Sequence, residues 1–250
     1  MLKAVAFDLW ETLLTNSAEL GREQERLRLE RMEQVLAARG FRDVAHRLQE
    51  AHRSLWTRCQ ELYWSEDVDI SCRRQIEHFL EELGLDPHTF DGEAIDELEH
   101  AYAHAAVELP PVLVEGARET LDALRERGLR LGLISNTGRT PGYALRKILD
   151  NLGVRVDVMV FSNEHGACKP QRSIFEELRE GLGVAFEEMA FVGDNLYVDV
   201  HGAQRCGMRG ILFDPPVRGV AVAPPVEHGL TITPDARITR LRELVGIVAG

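Results

Sequence analysis

Asp8 directly follows the apolar run Leu2 to Phe7. Such a run reads as a buried strand, and in an open α/β sheet chemistry collects at the carboxyl ends of the strands. A carboxylate there is placed to act as a nucleophile, although in isolation a helix N-cap or turn residue would look the same. Asp194 comes just past another apolar run, Met189 to Val192, and Asp199 follows on the next predicted helix. Paired carboxylates of this kind suit magnesium, which takes a few carboxylates and fills its octahedron with water. For Asp199 alone, an acidic first-turn residue favoured by the helix dipole is an equally simple reading. Ser135 and Asn136 end a third run, Leu129 to Ser135, and Lys169 precedes Pro170. The first two read either as donors to an anion or as a turn, and Lys169 as either a site cation or a surface one.

Four stretches carry these residues: MLKAVAFDLWETLL (Met1 to Leu14), LGLISNT (Leu131 to Thr137), SNEHGACKP (Ser162 to Pro170) and FVGDNLYVDVHGA (Phe191 to Ala203). In that order they resemble the four motifs of the haloacid dehalogenase superfamily. The resemblance implies that Asp8 is the nucleophile and that Lys169 sits beside it as a point charge. It implies that Ser135, Asn136 and Thr12 bind the transferred phosphoryl group, with the amides of Thr137 and Gly138 extending the cradle. It further implies a Mg2+ ion held by Asp8, the backbone carbonyl of Trp10, Asp194 and Asp199.

Trp10 departs from the pattern. The family's phosphatases place an aspartate there, whose carbonyl ligates the metal and whose side chain protonates the leaving group. Trp10 keeps the carbonyl and loses the acid, a loss that typically costs about 10²–10⁴-fold for a poor leaving group. Glu11 is the adjacent substitute. The 2-haloacid dehalogenases carry an aromatic residue at this position and use no metal. Their fourth motif, however, resembles Ser-Ser-Asn, and they tend to place tyrosine six residues after the lysine, where this chain has Phe175. Three readings follow: a magnesium-dependent phosphatase working through an aspartyl-phosphate on Asp8, a metal-independent 2-haloacid dehalogenase, and a non-catalytic phospho-ligand-binding protein. Two acids at one anion site make little sense without a cation, so the first is preferred.

The elements that must position these residues fall into two kinds. From about residue 15 to 105 the apolar spacing is helical, with starts at Ser17, Asp43 and Asp91 and stops at Gly40 and Gly84. His100 and His104 stand i, i+4 on the last of these helices but have no evident third ligand. The basic run Arg22, Arg26, Arg28 and Arg31 is interleaved with glutamates and reads as i, i+4 pairing on a surface helix. From Pro110 onward helix and strand alternate, with Thr140 and Pro141 opening one helix, a short strand expected near Leu230 to Thr233, and a final helix from Ile238 to Val248. The expected fold is a doubly wound, Rossmann-like parallel α/β sheet with an inserted α-helical cap. Residues 1–14 and 106–250 form the core and 15–105 the cap, which would choose the substrate.

Composition narrows the partners. The chain has 250 residues, 44% hydrophobic, and a net charge of −12, which argues against nucleic acid. No segment approaches the roughly 18 apolar residues of a membrane span, and the N-terminal run is too short and too early interrupted to be a signal peptide. The four cysteines form no C-x-x-C pair, so reduced thiols are expected. The chain therefore reads as cytoplasmic, a monomer or homodimer, acting on a small anionic molecule.

Overall fold

The computed structural model describes residues 1–217 and 229–248. The chain opens on the fully buried strand β1 (Ala4–Phe7) and reaches a two-residue strand, β2 (Leu14–Thr15). Four helices follow: α1 (Ala18–Ala38), α2 (Leu48–Leu62), α3 (Cys72–Glu82) and α4 (Gly92–Glu108). Strand β3 (Val112–Leu113) then pairs antiparallel with β2, Leu14 facing Leu113, so the entry and exit of the helical insert are joined. Side-chain oxygens of Ser17, Ser71 and Asp91 accept the otherwise unpaired amides of Leu20, Arg74 and Ala94, which starts α1, α3 and α4 where they start. Asp43 caps nothing of the kind: α2 begins at Leu48, after a tight turn over Ala45–Arg47. The insert has a core of its own, built on Met32, Leu55, Phe79, Leu98 and Tyr102.

The rest of the chain alternates helix and strand. In order come α5 (Ala117–Glu126), β4 (Arg130–Ser135), α6 (Gly142–Asn151), β5 (Val158–Phe161), the single turn α7 (Ser162–His165) and α8 (Arg172–Leu182). Strand β6 (Met189–Gly193) leads through a wide π turn, Leu196–His201, into α9 (Gly202–Cys206), and then come β7 (Arg209–Phe213), β8 (Ala236–Ile238) and α10 (Leu244–Ile247). The six long-range strands form one parallel sheet in the order β5-β4-β1-β6-β7-β8. Alternate residues of β1 feed two cores. Val5 and Phe7 pack with Leu121 and Leu131 on one face, and Ala4 and Ala6 pack with Phe175 and Phe191 on the other. This is the doubly wound α/β sheet with a helical insert.

Register decides what the sheet presents. Phe7 lies opposite Leu133 of β4 and Val192 of β6, so the residues that follow these three strands leave the sheet at one edge. Strand order also runs outward in both directions from β1, which opens a crevice at that edge.

Three local expectations give way to the structure. The strand near Leu230 to Thr233 does not form; β8 is instead Ala236–Ile238, paired to β7. Ile238 therefore ends a strand, and the last helix is the short α10 after a tight turn over Leu241–Glu243. At α6 the capping position is taken by Pro141, which has no side-chain donor or acceptor, and Thr140 only closes a turn back to Thr137. The sequence also reads as a proline-rich loop over Pro215 to Pro234, and its Pro224 and Pro225 lie outside the described residues. Among the described residues no helix is long and apolar enough to cross a membrane.

Candidate active site

Asp8 leaves β1 with its amide still bonded to the Val192 carbonyl at 2.8 Å, which fixes the direction of the carboxylate beside β6. Lys169 reaches it from the loop before α8. Its ammonium donates to Asp8 Oδ1 at 2.5 Å, to Asp199 Oδ1 at 2.7 Å and to the Ile134 carbonyl at 3.2 Å. An ammonium has three protons, so all three are used. Asp199 stands on the π turn after β6, and its second oxygen accepts the Asn195 amide at 3.0 Å. Gly193 makes that approach possible: a Cβ on residue 193 would sit 2.3 Å from the Asp199 carboxylate.

Burial sets the charge states. It pushes the Asp8 carboxyl up, Lys169 opposes that shift and Asp199 adds to it, leaving Asp8 at about 6 and still ionised above neutrality. For Lys169 burial alone would favour the neutral amine, but Asp199 and Asp8 outweigh it and raise the ammonium above its ordinary range. Asp194 completes the cluster: one carboxylate oxygen from each of Asp8, Asp194 and Asp199 fits within 4.8 Å. Lys169 pairs with two of the three, Asp8 and Asp199, in a largely buried site. Three hard carboxylate oxygens converging on one point are the donor set of a divalent cation, so the residues present fit a bound metal ion.

The other residues singled out from the sequence are spread between the cleft and the layer beneath it. Asn136 lines the cleft, but its amide group is spent on the Lys169 backbone, donating to the carbonyl at 3.1 Å and accepting the amide at 2.8 Å. It thereby fixes where Lys169 begins. Ser135 is fully buried, its hydroxyl 3.4 Å from the Asn136 carbonyl. Thr12 is also fully buried, its hydroxyl without a hydrogen-bond partner among the described residues. Neither of these two lines the cleft, whereas Thr137 and Gly138 do. Trp10 and Glu11 line it as well. Glu11 takes a left-handed backbone, φ 59°, which costs a non-glycine residue of order 1 kcal/mol, and its carboxylate accepts from Thr15.

The cleft, of about 1410 Å³, runs from Asp8 and Lys169 out to the helical insert. Several of its residues escaped the sequence reading. Arg28, read there as one of a surface pairing series, is buried on the stripe Gln24, Arg28, Met32 and Leu36. Its neighbours Arg26 and Arg31 do pair on the surface, with Glu30 and Glu108. The signal was present: Arg28 stands four residues before Met32 and eight before Leu36, on the apolar face. Asp69, between α2 and α3, is buried, and its carboxylate accepts from Trp64 Nε1 at 2.8 Å, from Thr137 Oγ1 at 3.2 Å and from Ser162 Oγ. It ties the insert to the loop after β4, and nothing in its sequence surroundings marks it. His100 and His104 stack on each other, centroids 3.5 Å apart, and join no metal-ligating cluster among the described residues. The four cysteines are buried and unpaired. Burial, then Asp69, raises the Cys168 thiol despite neighbouring Lys169, so it is inert as a nucleophile.

Comparison with known proteins gives concordant matches. The family model described as haloacid dehalogenase-like hydrolase matches residues 2–207. A glyceraldehyde 3-phosphate phosphatase of Methanopyrus kandleri is 29% identical over 252 aligned positions, covering 99% of this chain and 97% of that protein. The protein of the same name from Pyrococcus abyssi is 35% identical over 102 residues, which span 40% of this chain and 42% of that one. Among solved structures, a 2-haloacid dehalogenase from Pseudomonas syringae pv. Tomato superposes with a TM-score of 0.69 over 100% of this chain and 99% of that one, at 24% identity. At that identity the superposition speaks to the fold alone.

Proposed function

The chain belongs to the haloacid dehalogenase-like hydrolases, and from that premise we propose that it is a magnesium-dependent phosphatase of a small phosphorylated metabolite, working through Asp8. The observation that carries the reading is the cluster of Asp8, Asp194 and Asp199, whose carboxylate oxygens gather within 4.8 Å of one another beside Lys169. A site built to attack a haloacid, itself an anion, has no use for three gathered carboxylates. The phosphatase names of relatives such as that of Methanopyrus kandleri point the same way. Bound magnesium, held by the three carboxylates and the Trp10 carbonyl, would neutralise charge on the phosphoryl oxygens.

The chain's own residues then account for the steps. An Asp8 oxygen attacks phosphorus, the bond from phosphorus to the ester oxygen breaks, and the leaving oxygen takes a proton. Water next attacks the phosphorus of the aspartyl-phosphate, releasing phosphate and restoring Asp8. Lys169 holds Asp8 aligned and charged, and Asp199 holds Lys169. Asn136, through the Lys169 backbone, and the Thr137–Gly138 turn shape the wall where the phosphoryl group lies, although the Thr137 amide expected to bind that group is spent on Ser162 Oγ at 2.9 Å. Trp10 offers no proton. Glu11, in the same wall, is the nearest acid in sequence to supply one.

The dehalogenase reading keeps one specific support, the aromatic residue at Trp10. The two are separated by a panel of sugar, acyl and aryl phosphates together with 2-chloropropionate, each with magnesium and with chelator. Phosphate release that chelator abolishes supports the proposal, and it is expected to be fastest for leaving groups of low pKa. Chloride release indifferent to chelator would replace it with the dehalogenase.

A further inference from the structure

Outside the carboxylate cluster, the same cleft is lined by two cations that form no ion pair among the described residues. Arg28 is 5% exposed, and its Nε donates to the Tyr102 carbonyl at 2.8 Å. Its guanidinium lies 5.0 Å from the centre of the Tyr102 ring. Arg139, from the loop after β4, lies over the Trp56 ring at 4.3 Å. Both line the cleft. Among the described residues neither has a carboxylate within 4.0 Å, whereas Arg26, Arg31, Arg39, Arg58, Arg73 and Arg74 each do.

A buried charge without a partner is costly, and proteins keep one where a ligand supplies the partner. Burial lowers Arg28 first of all; Tyr102 opposes that shift and nearby Arg139 adds to it. Glu25 gives Arg28 a distant attraction, but its nearest basic contact is His52 Nδ1 at 3.6 Å. His52 is 1% exposed, faces the Tyr102 ring at 6.2 Å, and has no hydrogen-bond partner for either ring nitrogen. One corner of the molecule thus gathers two cations with no carboxylate within 4.0 Å and an imidazole with no hydrogen bond, against the single, partly exposed carboxylate of Glu25. A neutral group there would leave both charges unmatched and an amine would add to them. An anion accepts from guanidinium forks and balances them.

We propose that Arg28 and Arg139 form a second anion subsite, holding an acidic group that the substrate carries remote from its phosphate. The substrate class becomes a small phosphate ester with a further acid, a carboxylate or a second phosphate. The proposal rests on the phosphatase reading for its catalytic consequence, while the binding of the second acid does not.

Two measurements test it and separate the two claims. Trp10, Trp56 and Trp64 all line the cleft, so intrinsic emission reports its occupancy. At fixed ionic strength, malonate is expected to change that emission saturably and malonamide is not. Arg28→Gln and Arg139→Gln should each weaken the malonate response at least 10-fold. Arg139 is only partly buried, so its variant keeps the test alive if Arg28→Gln fails to fold. Equal responses to malonate and malonamide, or affinities unchanged in both variants, overturn the subsite. In the kinetic arm, 3-phosphooxypropionate is expected to exceed its carboxamide at least 10-fold in kcat/KM, and either variant should bring the ratio toward 1. A wild-type ratio near 1 overturns the proposal. Propane-1,3-diol bisphosphate, run beside them, tells a phosphate from a carboxylate as the preferred acid. If no ester is hydrolysed, the phosphatase reading fails and the malonate titration alone decides the subsite.

Discussion

Replacing Lys169 by methionine removes a buried ammonium from between two carboxylates and keeps most of its volume. Asp8 Oδ1 and Asp199 Oδ1 lie 2.5 and 2.7 Å from Nζ, so the two oxygens are at most about 5 Å apart. At an effective dielectric constant of about 20, two unit charges at that separation repel by about 3 kcal/mol. Breaking a buried pair by deleting one partner costs about 3–5 kcal/mol in general, so the two routes agree. The loss is expected in urea unfolding at pH 7.5. It should shrink at pH 5, because without Lys169 the carboxyls' folded pKa values rise above their unfolded ones, and a raised pKa favours the folded state as pH falls. It should shrink also when magnesium is added at pH 7.5, since a cation replaces the missing charge. A loss under about 1 kcal/mol, or one independent of both pH and magnesium, would refute the argument that Lys169 serves as the counter-charge of this cluster.

Three further outcomes follow from the same geometry. Burial, then Arg139 and Arg28, hold the His52 imidazole down to about 3. The unfolded chain takes up a proton near pH 6.5 that the folded chain refuses, so stability is lost as pH falls, by about 2 kcal/mol between pH 6.5 and 5. His52→Phe should remove that part of the acid dependence in urea unfolding, and parallel profiles for the two proteins would count against it. Gly193→Ala forces a Cβ against Asp199; a destabilisation of about 1–3 kcal/mol and weaker magnesium binding by calorimetry are expected, and unchanged magnesium affinity would show that Asp199 tolerates displacement. Asp69→Ala strands the Thr137 and Ser162 hydroxyls and the Trp64 indole, with an expected loss of about 3 kcal/mol in thermal unfolding; a change under about 0.5 kcal/mol would mean water replaces the carboxylate.

Much of the core was legible because local rules and the fold agree there. Buried parallel strands read as unbroken apolar runs, and Asp8, Ser135 and Asp194 stand at or just past the ends of such runs. Ser17 and Asp91 announced their helices through capping side chains. The failures are places where a distant contact overrides the local pattern. Arg28 looks like its surface neighbours until the insert closes on the cleft. The β2–β3 ribbon has two residues a side and pairs segments almost a hundred residues apart, which no periodicity can announce. Asp69 acquires meaning only from hydroxyls of the core that reach it. Asn136 was read as facing the phosphoryl group, but the Lys169 backbone claims both ends of its amide. Spacing along a chain shows which residues share an edge, and not which of them turn inward to hold the others.

The central claim is a phosphoryl group carried on Asp8. The direct measurement is rapid acid quench during turnover of an acyl or aryl phosphate, followed by mass spectrometry of the peptide containing Asp8. The account predicts a phosphorylated Asp8 in the presence of magnesium, absent with chelator and absent in Asp8→Asn. Phosphate release with no modification of Asp8, or release that persists in Asp8→Asn, would contradict it.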